Sequence, residues 1–367
     1  MFCIIPVDGT VLRFSWQMAA LWMGGLAFTA ILTSLWFRAF WLCALFVTAT
    51  SAWPPNYEAY LSLLTVAVFL TAAEGFSRID PKKTMAAMRI AAFALLAWII
   101  LQEAGLLRTW FAPRNAGPFN PNTGGVFLAL CLPAFMTGKW WWTVPVMAMG
   151  IVITATTTAM LAAVAGTIVY LWISERTAIS TFFTEPTNRK IMVLLALVVV
   201  IVLAPVVWFA KVDSLESVIG CDRWVAWKHA AMSMQAEMYG RGLGSWESVF
   251  PLLTSGTPGL NTSGAVFMQA HNEYVQTAFE LGIQTLALVV AFLLTAIGRI
   301  RKGAGVDLNL SPWKPCPLSA QIAAGLAILV VSCAGVFIFH VAPTALLGVA
   351  WLGMFEVRFK KEASNGA

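Results

Sequence analysis

The sequence predicts an all-α fold: a polytopic transmembrane bundle of about 11 helices with one long structured outer loop, forming a single membrane domain over 1–367. Three observations carry this. Of the 367 residues, 59% are hydrophobic and only 11% charged, whereas a soluble domain carries roughly 25% charged residues. The apolar residues are gathered into long blocks. When those blocks alternate across a membrane, Lys and Arg fall mainly on one side.

The blocks run, in order, over 18–37, 39–53, 58–73, 85–101, 123–137, 140–156, 159–173, 191–209, 274–297, 318–339 and 343–357. A helix crossing the hydrocarbon core needs about 17–25 residues, and several blocks are shorter, so ten to twelve helices fit the pattern. Helices are the economical form because an unpaired backbone amide in lipid costs several kcal/mol. Trp16, Trp36, Trp53, Trp98, Trp110, Trp140 to Trp142, Trp172, Trp208 and Trp351 stand at block ends, where aromatic residues anchor helices at the interface. Arg89, inside the fourth block, reads as a snorkelling side chain.

Placing the C-terminus in the cytoplasm puts 15 of the 23 basic residues on the inner side, and seven (Arg13, Arg108, Arg114, Lys211, Arg223, Lys228 and Arg241) outside. This asymmetry is the expected orientation signal, so the net charge of +6 reads as topology rather than a nucleic-acid footprint. With eleven spans the N-terminus is outside, and no cleavable signal peptide is visible there. The six cysteines have no metal or redox spacing. Cys43, Cys131 and Cys333 read as apolar packing residues, while Cys3 and Cys221 share the outer side.

Segments 174–190 and 298–317 read as cytoplasmic connectors. The longest hydrophilic stretch, 210–272, holds four of the seven outer basic residues. Within it, 222–239 reads as a surface helix: Arg223, Trp227, Ala230, Met234 and Met238 recur on one face, with Asp222 as N-cap. It stops at Gly240, and a glycine-rich turn follows. A loop of this length that is ordered usually carries function.

Three features there suit chemistry. Arg223 and Lys228 offer cations, Arg binding phosphate oxygens two at a time and Lys acting as a point charge; snorkelling to headgroups is the other reading. Gly240-Arg241-Gly242-Leu243-Gly244 lets a backbone approach an anionic or bulky ligand, or simply stops a helix. His271-Asn272-Glu273, followed by Gln276, Glu280 and Gln284, forms a polar stripe on one helix face. Glu280 then lies inside the membrane, where carboxylates face a bundle interior or cavity, as a ligand contact or an interhelical hydrogen-bond partner. His271 at the outer interface can take a proton from a hydroxyl at neutral pH. His340, at an outer helix end, is either a second acid/base or structural, and His229 is read as structural.

Arg223-x-x-x-Trp227, Gly242-x-Gly244 and His271-Asn272-Glu273-Tyr274-x-Gln276-x-x-x-Glu280-x-Gly282 resemble the C-terminal signature of the O-antigen ligase/polymerase-like membrane proteins of bacteria. His271, Asn272, Gly282 and Thr285 fit the ligase pattern. Gly117-x-Phe119-Asn120-Pro121-Asn122, ahead of Leu132-Pro133, resembles an earlier outer-loop motif. The resemblance runs from roughly 115 to 356. Two departures stand out. The family's Thr-x-Ser-Arg-Gly appears as Thr154-Ala155-Thr156-Thr157-Thr158, without the Arg, and Trp227 replaces the usual Leu.

The resemblance implies a glycosyltransferase of the cytoplasmic (inner) membrane. It would move a glycan from an undecaprenyl-diphosphate carrier to a hydroxyl of lipid A core, another glycan or a protein, on the periplasmic face. Its catalytic residues would be His271, as general base, and Arg223, on the departing diphosphate. Arg241, Lys228, Gly242, Gly244, Asn272, Glu273 and Glu280 would bind substrate. No metal or cofactor is expected, since no cluster has metal-ligand spacing; membrane lipids are the other partners, and nucleic acid is not. The readings from other classes are a transporter or flippase of lipid-linked sugars or another small polar solute, and a structural membrane protein with a decayed site.

Overall fold

The computed structural model describes residues 2–7, 10–50, 57–107, 117–174, 222–255, 269–303, 317–336 and 338–365. The expected span 191–209 and the loop parts 210–221 and 256–268 lie outside the described residues, as does Cys221. Most of the two cytoplasmic connectors lies outside them too.

Among the described residues there are thirteen α-helices: α1 (Trp16–Ile31), α2 (Leu35–Thr50), α3 (Tyr57–Phe76), α4 (Pro81–Glu103), α5 (Pro121–Cys131), α6 (Val144–Ile153), α7 (Thr157–Ser174), α8 (Asp222–Ala236), α9 (Ser245–Leu253), α10 (Glu273–Leu281), α11 (Ile283–Gly303), α12 (Pro317–Cys333) and α13 (Ala342–Asn365). Four stretches are long and apolar enough to cross a membrane: Ala59–Phe76, Pro81–Glu103, Thr157–Ser174 and Ile283–Ile300. Leu35–Thr50, Pro121–Phe135, Trp140–Ile153, Leu318–Cys333 and Ala342–Val357 are shorter apolar helices. The helical class holds. Among the described residues, four helices reach full span length and five more are apolar but shorter.

Three local departures have physical causes. An antiparallel hairpin of β1 (Phe2–Val7) and β2 (Thr10–Ser15) precedes α1, in the register Phe2↔Ser15 to Val7↔Thr10. The first block ends early, because Arg38 Nε bonds the Leu32 carbonyl at the break between α1 and α2. The block 274–297 is two helices, divided at Gly282, whose φ is 79°.

The chain forms two compact units. The first takes Met1–Glu74, Val225–Ala270 and Tyr274–Leu293. Here Trp41 Nε1 donates to the Gly25 carbonyl at 2.8 Å, and Glu74 accepts both the backbone N–H and the hydroxyl of Thr33. A core gathers α8, α9 and α10: Ala226, Ala230, Trp246, Val249, Phe250, Ala270 and Phe279 are buried together. Trp246 stacks on Phe250 at 4.1 Å, and both meet Phe279 edge-on.

The second unit takes Gly75–Trp224, His271–Glu273 and Leu294–Ala367. α4 starts at Asp80, whose carboxylate accepts the Lys82 N–H at 2.9 Å, with Pro81 next; this is a favoured N-cap followed by a preorganised φ. α5 starts the same way on Asn120 and Pro121. Pro133 then breaks it, because proline supplies no N–H. The carbonyls around the break are taken up by side chains: Leu130 by Trp351 at 2.9 Å, Pro133 by Gln321 at 2.7 Å, Ala134 by Arg89 at 3.1 Å and Met136 by Tyr170 at 2.7 Å. In a lipid-facing bundle every such group needs an internal partner.

Two side chains are corrected by this arrangement. Trp351 is fully buried against Gly325, not an interfacial anchor. Arg89 does not snorkel; it caps the break and lies over the Trp140 ring at 5.3 Å.

Candidate functional site

The surface helix expected over 222–239 is α8, ending at Ala236. Its inward face carries Ala226 and Ala230, and Trp227 Nε1 donates to the Ala270 carbonyl at 2.6 Å. Lys228 is exposed. The glycine-rich turn is followed by a helix that the sequence reading missed, α9.

Within the first unit, the turn 238–244 crosses the end of α10. Gly240 and Gly282 meet back to back: a Cβ on Gly240 would stand 2.5 Å from the Glu280 carbonyl oxygen, and one on Gly282 2.5 Å from the Tyr239 carbonyl carbon. Both have left-handed backbones, which glycine adopts without penalty. The crossing is sewn by Gly242 N–H to the Glu280 carbonyl (2.8 Å), Ile283 N–H to the Met238 carbonyl (3.0 Å) and Gln284 Nε2 to the Tyr239 carbonyl (2.8 Å).

The Glu280 side chain, 5% exposed, accepts the N–H groups of Gly244 (3.1 Å) and Trp246 (3.3 Å) and the Gln276 amide (3.1 Å). It thus caps α9, where a negative charge complements the free amides of a helix N-terminus. Arg241 is buried. Its Nη2 donates to the Ser233 carbonyl at 2.8 Å, Nε lies 2.9 Å from Glu237, and the guanidinium covers Phe279 at 4.6 Å. Burial lowers its pKa, and the Glu237 charge opposes that.

The second unit holds Arg223, His271, Asn272 and Glu273. His271 stands at φ 53° just before α10, a backbone uncommon outside glycine that accumulates at functional sites. Its pKa is lowered from 6.5 to about 4, first by burial and then by the positive charge of Arg223. The two predicted catalytic residues are therefore electrostatic neighbours, and the imidazole is neutral at neutral pH. Asn272 is half-buried. Glu273 Oε1 accepts the Phe339 N–H at 2.8 Å and lies 3.4 Å from His340 Nδ1.

The other motifs of this unit build its frame. Gly117, at φ 70°, exchanges hydrogen bonds with the Gln102 amide at 2.8 and 3.2 Å. Thr156 Oγ1 donates to the Pro121 carbonyl at 3.0 Å, and Thr158 packs on Gly335.

The structure thus brings Arg223, His271, Asn272 and Glu273 into one unit, and Lys228, Arg241, Gly242, Gly244 and Glu280 into the other. Among the described residues, no group of three or more His, Cys, Asp or Glu gathers as a metal site. The His340 contact with Glu273 joins residues 67 positions apart, and no local sequence pattern signals it.

Residues 142–290 match the model of the O-antigen ligase family. No curated protein matches the chain.

Proposed function

We propose, from the match of residues 142–290 to the O-antigen ligase family, that this protein is a membrane glycosyltransferase of the O-antigen ligase type. It moves a glycan from an undecaprenyl-diphosphate carrier to an acceptor hydroxyl of lipid A core, a glycan or a protein. The work takes place on the periplasmic face of the inner membrane, with the C-terminus in the cytoplasm.

The observation that carries this reading is the pairing of a guanidinium with a neutral imidazole. Arg223 lies close enough to His271 to depress its pKa. In transfer from a lipid diphosphate, charge develops on the leaving oxygens, and a fixed cation stabilises it. Arg223 fills that role. His271, deprotonated above about pH 4, presents a nitrogen lone pair to the acceptor hydroxyl. Attack from the face opposite the diphosphate inverts the sugar carbon. Asn272 and Glu273, next in the chain, complete the proposed substrate-facing residues of this unit.

In membranes carrying the cognate lipid-linked glycan, Arg223→Ala and His271→Ala should each abolish transfer at unchanged protein level. Full transfer by either variant rejects the assigned roles. The helix break at Gly282 is the observation favouring a second reading, a transporter or flippase, since such proteins build sites at discontinuous helices. Flipping or uptake by the wild type without glycosyl product would select it.

A further inference from the structure

Glu273 opens α10, is 8% exposed, and spends its carboxylate on a distant segment. Oε1 accepts the Phe339 N–H at 2.8 Å, which holds the carboxylate against the turn ahead of α13. That turn is itself fixed, because the Thr344 hydroxyl donates to the carbonyls of Ile338 (2.8 Å) and Val341 (2.9 Å). His340 follows Phe339, and its Nδ1 lies 3.4 Å from the same Oε1. Its side chain is 32% exposed, so the ring has one edge on a carboxylate and reaches outward.

A carboxylate behind one ring nitrogen favours the tautomer with its proton on Nδ1 and leaves Nε2 as acceptor; it also stabilises the imidazolium once a proton arrives. His271, two residues before Glu273, is the opposite case. A cation sits beside it and its pKa is about 4, so it accepts a hydrogen bond but does not hold a proton at neutral pH.

We propose that Glu273 and His340 form a carboxylate–imidazole pair that takes up the acceptor hydroxyl's proton during transfer, with Glu273 as the positioning residue. The inference rests on the transferase reading and deepens it. The acceptor oxygen bonds to the sugar's anomeric carbon as the bond from that carbon to the diphosphate oxygen breaks. The electron pair leaves with the lipid diphosphate. His271 takes the hydroxyl proton as the new bond forms and, unable to keep it at neutral pH, passes it to His340 Nε2, whose imidazolium later returns it to water.

The test uses the full chain in membrane vesicles from cells whose own undecaprenyl-diphosphate-linked glycan is radiolabelled, counting label on the acceptor. His340→Ala should lower kcat about 10²-fold or more with the donor KM within about twofold, and added imidazole should restore turnover. Glu273→Gln, which still accepts the Phe339 N–H, should fall comparably, and the double variant no further. His340→Gln guards against misfolding of the alanine variant. Turnover at the wild-type rate in His340→Ala or His340→Gln overturns the pair's role, as does a loss that imidazole leaves unrestored. Wild-type vesicles with labelled donor but no product reject the transferase reading itself, and the pair falls with it.

Discussion

Replacing Arg223 by Gln should raise the titration midpoint of His271, and by a bounded amount. In the wild type that midpoint is about 4, against an ordinary 6.5, with burial the larger cause and the Arg223 charge the smaller. The Arg223→Gln midpoint should therefore rise but stay below 6.5, because the burial that is the larger cause remains. The linkage sign follows. The folded imidazole is depressed, so its contribution to stability is full above 6.5 and is lost as pH falls toward 4; the variant narrows that window. The assay is histidine-selective NMR titration in lipid nanodiscs. The chain has only 3 His, so His229→Gln and His340→Gln complete the assignment. A wild-type midpoint near 6.5, or one that does not move on losing Arg223, would refute the electrostatic coupling and the site built on it.

Other outcomes concern the crossing and the core. Glu280→Ala strips the acceptor from the Gly244 and Trp246 N–H groups, at about 1–3 kcal/mol for each buried donor left unpaired; thermal melting in detergent should drop, and Glu280→Gln should recover part of it. Gly240→Ala places a side chain on a left-handed backbone, costing roughly 1–2 kcal/mol before its clash with the Glu280 carbonyl, so folded protein recovered from membranes should fall sharply. Trp351→Ala should cost about 3–5 kcal/mol, whereas Trp351→Phe should cost about 1 kcal/mol through the lost bond to Leu130.

The helices were legible because each needs an apolar stretch, and those stretches stand out in the sequence whether they meet lipid or protein. What composition hides is where the backbone interrupts them. Gly282 and Pro133 lie inside blocks that read as continuous, and only the crossing with Gly240 and the carbonyl acceptors around Pro133 show that each helix stops there. The hairpin has a local signal in the sequence, Asp8-Gly9 between two apolar-rich runs, a dipeptide favoured in tight hairpin turns. Trp351 was misplaced because indole serves interfaces and cores alike, and its Gly325 partner is 26 positions away in sequence. The site was legible in part. Arg223 and His271 stand out by their chemistry and α8 by its periodicity; the anchoring of His340 by Glu273 depends on a turn that sequence spacing could not connect to α10.

The Thr154–Thr158 run alternates between packed and open positions. Thr154 and Thr156 are buried against Gly125, and Thr158 packs on Gly335, so bulk at those three places would push helices apart. Thr157, the position that corresponds to the missing arginine, opens α7 and is exposed. A longer cationic side chain there, as in Thr157→Arg, would start from an exposed position instead of from the packed row of threonines.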